Sequence, residues 1–224
     1  MALIMYFTRA PKYQNMFTRE YETIPRRDIE LIEKYFDWKR ARHERKYSCN
    51  SLQEWCGVSE SDIPDKYHIN YYNEFYTIKK NYMEYIGEVE SYSIFEFLAR
   101  IGRNNQLYNW CIDNVMNGNM DNNYYEISEA KLRELLFICQ TVSNGFTLIH
   151  EGKEKYQNKY DVNKDIAENL FPVMNADKRG MFYGTKEYDN DYAIQVLELV
   201  DILIDIIKTT DFEKQVVYVN ATSI

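Results

Sequence analysis

The chain has 224 residues, of which 45% are hydrophobic, and it carries a formal net charge of −8. With four Pro, eight Gly and no linker rich in these residues, we expect one domain with a sizeable core. No apolar run reaches the roughly 18 residues of a membrane span, and the first residues are too short for a signal peptide. We therefore expect a cytoplasmic protein that has no membrane partner. The acidic balance argues against nonspecific nucleic-acid binding by the chain as a whole.

The charge is distributed unevenly along the chain. Residues 1–46 carry a net charge of +4, and the remaining residues carry a net charge of −12. A compact basic cluster stands beside Trp38 and His43, and it consists of Lys39, Arg40, Arg42, Arg45 and Lys46. Two interpretations remain open. The cations could complement the dipole at a helix end, or they could contact phosphate or an acidic partner surface.

Two segments at opposite ends of the chain have the composition of strands. The first runs from Leu3 to Thr8 and is apolar and aromatic, and the second runs from Gln215 to Asn220 and is rich in β-branched residues. Their positions predict that the two termini pair in one small antiparallel sheet.

Helical patterns occupy much of the rest. Apolar spacings of three and four predict helices from Arg26 to about Arg45 and from Tyr71 to Tyr85, with a short helical turn between Leu52 and Cys56. The longest predicted helix runs from Ser93 to Met116. It is followed by Asn117-Gly118, a pair that favours the left-handed conformation at a helix end.

The C-terminal half begins with a helix that Ser128 caps and that Leu132, Leu135, Leu136 and Cys139 stripe. Residues 150–165 are charged and predict an exposed loop, and 166–171 predict a helical turn that Pro172 stops. The last predicted helix, from Asp191 to Lys208, is apolar except for one polar stripe, which predicts a central core position. The stripe consists of Gln195, Glu198, Asp201, Asp205 and Lys208.

These elements predict an α+β fold, a mainly helical single domain with a small antiparallel sheet that involves both termini. We expect core segments at about residues 1–8 and 92–220. Residues 26–90 would form a helical insertion or subdomain.

Motifs of common catalytic sites are missing from the sequence. It has no GxGxxG, P-loop, GxSxG or HExxH pattern, and its three His residues stand apart from one another. The four cysteines have neither zinc spacing nor a secretion signal beside them, which predicts reduced and mostly buried thiols. We therefore predict no metal and no cofactor, assign no catalytic residue, and favour a protein that is not an enzyme.

One polar and aromatic constellation stands above the background. Asn is a mediocre helix former, so the run of Asn beside Arg103 suggests that side-chain interactions selected these residues. A glycine-containing aromatic turn at 182–192 could converge with it near a helix start. The candidate ligand-binding residues are Arg103, Asn105, Tyr108, Trp110, Tyr183, Thr185 and Tyr188. They form either a pocket or a polar-aromatic layer of the core whose side chains satisfy one another.

The same segments resemble a group of small phage and prophage proteins. The opening MALIMYF is similar to the MGLDMYL-like start of that group, and residues 103–111 are similar to its central YWRKANxIHxWF segment. Tyr124-Tyr125, the SxxxLxELLxxC pattern of 128–139 and the FFFGSTxYDxxY-like segment 181–192 follow in the same order. The similarity spans about half of the chain.

The chain departs from this group at informative positions. Ala2 and Ile4 stand where the group has Gly and Asp, while Arg103 and Tyr108 stand where it has Lys and His. The loss of an imidazole removes the most obvious general base. The resemblance implies a phage or prophage accessory protein, a class that often acts by binding and disabling host machinery.

The leading expectation is therefore a phage accessory protein that binds and inhibits a host protein, such as a defence effector, in an infected or lysogenic bacterium. Mimicry of nucleic acid by the acidic part is a variant of this hypothesis. The alternative is a nucleotide-like small-molecule binder or hydrolase with a pocket around Arg103 and Tyr183. Direct nucleic-acid binding through residues 38–46 is less favoured.

Overall fold

The computed structural model describes residues 3–14, 21–23, 96–119, 121, 123–154, 157–174 and 187–223. The helices predicted before residue 90, the basic cluster at 39–46 and the aromatic turn around Tyr183 and Thr185 lie outside these residues. The chain divides into two compact units. One contains Met1–Thr8, Leu98–Thr210 and Val217–Ile224, and the other contains Arg9–Phe97 and Asp211–Val216. The single-domain assignment stays a prediction.

The described residues form eight strands, of which the first and the last are neighbours in one sheet. The strands are β1 (Leu3–Pro11), β2 (Tyr13–Gln14), β3 (Tyr21–Glu22), β4 (Glu96–Gly102), β5 (Tyr125–Ile127), β6 (Phe146–His150), β7 (Lys159–Val162) and β8 (Gln215–Ser223). The main sheet has the order β4-β1-β8-β5, and β2 with β3 and β6 with β7 form two separate antiparallel pairs. The predicted small antiparallel sheet with both terminal strands is confirmed.

Four helices are described, and a polar side chain caps the start of each. They are α1 (Asn105–Asn114), α2 (Glu129–Ser143), α3 (Lys164–Leu170) and α4 (Asn190–Thr209). Their N-caps are Asn104, Ser128, Asn163 and Asp189, and each accepts a hydrogen bond from a backbone N–H in the first turn. The α+β class is confirmed, while the predominance of helix over the whole chain stays a prediction.

The core of the first unit lies where α2 packs against α4. Leu132, Leu135 and Cys139 line α2 at spacings of three and four, so they form one fully buried stripe. In the sheet, the register of β5 and β8 pairs Ile127 with Val217, which places both side chains on one face. Both are buried, as expected for strands that alternate between two faces.

The predicted helix from Ser93 to Met116 is wrong in its first half. Residues 96–102 form β4, and the helix begins only at Asn105. Burial in the second half of β4 alternates, since Ala99 and Ile101 are buried while Arg100 and Gly102 are exposed. Within the second unit, the Arg9 guanidinium contacts the Glu96 carboxylate through Nε–Oε2 at 2.5 Å and Nη2–Oε1 at 2.9 Å. Such a two-pronged ion pair supports the extended conformation because it holds β4 to the neighbouring β1.

The exposed loop predicted at 150–165 is also corrected in part. Its second half contains β7, which pairs with β6 and makes this segment an antiparallel ribbon. Charge alone predicted a loop here, yet Tyr160 and Val162 alternate with the exposed Lys159 and Asp161. Half-buried side chains at every second position are what a strand with one covered face requires.

The last helix lies close to its predicted bounds, and its N-cap is Asp189. One face, which includes Tyr192, Val196, Leu199 and Leu203, is fully buried. The apolar residues flanking this face are only partly covered, so the expectation of burial around most of the circumference is corrected. The polar residues fall on the opposite, exposed side, as the sequence predicted.

Candidate functional site

The predicted constellation begins at a strained turn between β4 and α1. Arg103 has a φ of 55°, in the left-handed region that disfavours residues with a side chain. Its side chain is exposed and has no hydrogen bond or ion pair with the described part of the chain. The next residue, Asn104, is buried, and its Oδ1 accepts a hydrogen bond of 2.9 Å from the N–H of Leu107. The turn thus leaves a cation in solvent and starts the helix.

Asn105 and Tyr188 belong to a clamp around the segment 171–174. The Oδ1 of Asn105 accepts a hydrogen bond of 3.2 Å from the Met174 N–H, and the Tyr188 hydroxyl accepts one of 3.3 Å from the Val173 N–H. A third contact comes from Tyr192, whose buried hydroxyl donates to the Phe171 carbonyl at 2.8 Å. These side chains satisfy backbone groups that burial would otherwise leave without a partner. The contacts give Asn105 and Tyr188 a structural role.

Tyr108 and Trp110 lie within the packed part of α1. Tyr108 is 4% exposed and Trp110 is 7% exposed. The Lys131 ammonium of α2 stands 6.0 Å from the centre of the indole ring and also donates to Asn114 Oδ1. This distance is at the limit of a cation–π interaction. Both aromatic residues therefore contribute to the packing of α1, and Lys131 covers the edge of the tryptophan.

Sequence reasoning missed one buried contact between α1 and α4. Gln106 is fully buried, and its Nε2 donates to Gln195 Oε1 at 3.0 Å. The Oε1 of Gln106 has no hydrogen-bond partner. The available signal was a polar residue at each of two facing positions, Gln106 in the Asn-rich run and Gln195 in an apolar helix. The pair fixes how the two helices meet, since one buried amide satisfies the other.

The pocket predicted around Arg103 and Tyr183 stays a prediction. The structure brings Asn105 and Tyr188 to the same segment, 171–174, while it leaves Arg103 in solvent. Tyr183 and Thr185 lie outside the described residues. The described members of the constellation form the polar-aromatic layer that was the other interpretation of this pattern.

Burial makes the two described thiols poor nucleophiles. Cys111 and Cys139 are fully buried and reduced, and burial raises the pKa of each thiol far above its ordinary value. The thiolate is the reactive form of cysteine, so neither side chain is activated. In the described ranges, no group of three His, Cys, Asp or Glu residues is arranged to hold a metal ion.

The exposed side of α4 is the most distinctive surface of the first unit, and we call it the α4 outer face. Its exposed charged residues are Asp191, Glu198, Asp201, Asp205 and Lys208. Ile194 and Ile202 share this face, because they stand four residues before and after Glu198, and both are only half-buried. No ion pair engages Asp191, Glu198 or Asp205 within the described part of the chain. The α4 outer face therefore combines unneutralised carboxylates with accessible branched side chains.

Comparison of the chain with models of protein families, with curated proteins and with solved structures gives no match. The resemblance to phage proteins therefore stays a prediction. Of the helices that the structure describes, none has the length and apolar character needed to cross a bilayer.

Proposed function

We propose that this protein is a phage accessory factor that binds and inhibits a host protein, and that it does so through the α4 outer face. The observation that carries the proposal is the exposed stripe of carboxylates interrupted by Ile194 and Ile202. An interface needs apolar area for affinity and charge for orientation. This face offers both on a helix whose other side is anchored in the core.

The charge of the face defines the partner. Glu198, Asp201 and Asp205 follow one another at spacings of three and four residues, so they lie in a row along the helix. The chain as a whole is acidic, with a net charge of −8. A basic surface is complementary to both and would be attracted from a distance. We therefore propose a host protein with a basic surface, such as one that handles nucleic acid.

The phage assignment and the inhibitory role come from the sequence resemblance, and the structure adds the candidate surface. The described thiols are buried and the predicted ligand residues Asn105 and Tyr188 bind backbone groups. Both observations favour a protein that acts by contact over one that acts by chemistry.

The test is capture of a stoichiometric partner from bacterial lysate with the tagged full chain, followed by measurement of affinity at several salt concentrations. The double variant Glu198→Gln/Asp205→Asn should weaken binding about tenfold, or ~1.4 kcal/mol, and should flatten the salt dependence. The matched control is Asp165→Asn/Glu168→Gln, which removes the same charge from exposed positions of α3.

The control variant should bind as the wild type does. Equal loss in both variants would show that only net charge matters and would contradict the assignment of the face. Recovery of no partner, together with no effect of expression on any host defence, would contradict the proposed function itself.

A further inference from the structure

The ribbon of β6 and β7 has one edge that is occupied and one edge that is open. Leu148 stands opposite Tyr160 in the ribbon. The N–H of Tyr160 donates to Asn190 Oδ1 at 2.8 Å, so it points away from β6 toward the start of α4. Opposite residues in an antiparallel ladder alternate between hydrogen-bonded and non-hydrogen-bonded pairs. Leu148 and Tyr160 are therefore a non-hydrogen-bonded pair.

It follows that the backbone N–H and C=O of Leu148 point out from the free edge of β6. Phe146 is two residues earlier and faces Val162, so its N–H and C=O point the same way. Among the described residues β6 pairs only with β7. Four backbone groups on this edge are thus without a strand partner.

The side chains of β6 leave this edge accessible. Leu148 is 48% exposed and Ile149 is 66% exposed, although both are large and apolar. The strand contains no Lys, Arg, Asp, Glu or Pro, the residues that usually protect an edge from other strands. Its one protective feature is the bulge between Leu148 and His150.

We infer that β6 pairs with β6 of a second copy of this chain, in antiparallel orientation around a twofold axis at Thr147. That axis places Phe146 opposite Leu148 of the copy, and Leu148 opposite Phe146 of the copy. Each of these pairs exchanges two backbone hydrogen bonds, which use all four outward groups. The result is a four-stranded sheet with the order β7-β6-β6-β7.

Charge selects a second copy over a charged partner. Two molecules with a net charge of −8 repel each other, and an uncharged strand is where they can approach at the lowest cost. An acidic or basic segment would find no opposite charge on β6 itself. The assembly stops at two copies because Asn190 occupies the outer edge of β7 at Tyr160. The shared edge is short, so we expect a weak dimer that buries less than about 1,200 Å².

A cysteine cross-link tests the register. In the proposed dimer Thr147 faces Thr147 of the copy in a non-hydrogen-bonded pair, with Cα atoms about 4.5 Å apart, which suits a disulfide. The exposed Thr147→Cys variant should form a linked dimer under mild oxidation with diamide. The control Asp161→Cys lies directly opposite on β7, one strand farther from the axis, and should stay unlinked, as should the wild type.

Sedimentation of the full chain from low to high micromolar concentration tests the association itself. The wild type should shift from monomer to dimer, and Ile149→Lys should raise the dissociation constant at least about tenfold, because it places a cation beside the shared edge. Phe137→Lys is the matched control, since Phe137 is a 69% exposed apolar residue of α2, outside the ribbon. It should leave the dimer unchanged.

Three results would overturn the inference. They are a wild type that stays monomeric at every concentration, equal cross-linking of Thr147→Cys and Asp161→Cys, and equal effects of Ile149→Lys and Phe137→Lys. The inference does not depend on the proposed host partner, because neutralising the α4 outer face leaves β6 intact.

Discussion

Three consecutive polar residues at the start of α1 show how one residue type serves several purposes. Asn104 caps the helix, Asn105 accepts a hydrogen bond from Met174, and Gln106 donates to Gln195. All three are buried, where an unpaired amide is costly. The sequence predicted that side-chain interactions selected this run, and each described contact is an internal one.

The variant Asn105→Ala tests the clamp at residue scale. It leaves the Met174 N–H buried without its acceptor, so we expect a loss of about 1–3 kcal/mol in the free energy of unfolding. Hydrogen exchange at the Met174 amide should become faster. The matched control is Asn169→Ala, because the exposed Asn169 side chain donates to the Asp165 carbonyl. Its effect should stay within about 0.5 kcal/mol, and an equally small effect of Asn105→Ala would contradict the clamp.

The boundary between β4 and α1 shows why an element can be misassigned. Phe97, Leu98 and Ile101 have spacings that fit a helix, and this local pattern led to one long predicted helix. The segment forms a strand beside β1 instead. The edge of β1 offers backbone partners that no window around residue 100 contains. Asn104 then begins a new helix, and this N-cap signal was present in the sequence.

Helix capping provides a test at the scale of the element. Ser128 accepts a hydrogen bond from Lys131 N–H at the start of α2, and Ser128→Ala should destabilise the protein by about 1 kcal/mol. Denaturant unfolding followed by circular dichroism measures this loss. Ser143→Ala is the control at the other end of α2, where the hydroxyl donates to the Gln140 carbonyl. Equal midpoints for the two variants would contradict a specific role of the cap.

At the scale of the whole molecule, buried tyrosines make stability depend on alkaline pH. Burial, and secondarily the charge of Glu126, raises the pKa of Tyr218 to about 12. Burial also raises the pKa of Tyr192, with smaller contributions from Cys139 and Tyr188. A raised pKa means that the unfolded chain loses the proton first. The stabilisation is therefore complete below pH 10 and is lost as the pH rises toward 12.

The variant Tyr218→Phe tests this dependence. The phenyl ring cannot ionise, so the free energy of unfolding should fall less steeply between pH 10 and 12 than in the wild type. Denaturant unfolding at pH 8 in both proteins measures the cost of the substitution itself and serves as the reference. Parallel pH profiles for the two proteins would show that Tyr218 does not contribute.

The sequence by itself determined the features that depend on neighbours along the chain. Ser128 and Asp189 start helices, and the β-branched segments at the two ends form strands, because caps and strand propensities act within a few residues. The polar stripe of α4 was likewise readable from its spacing, and it became the exposed side of the helix.

Only the tertiary structure decided which distant groups meet. The acceptor of Asn105 finds its donor in Met174, 69 residues away, and β6 becomes half of a ribbon through β7. Such contacts depend on the path of the chain in space, which local composition does not encode. For this reason the clamp at 171–174 and the open edge of β6 emerged from the fold, while the helix starts emerged from the sequence.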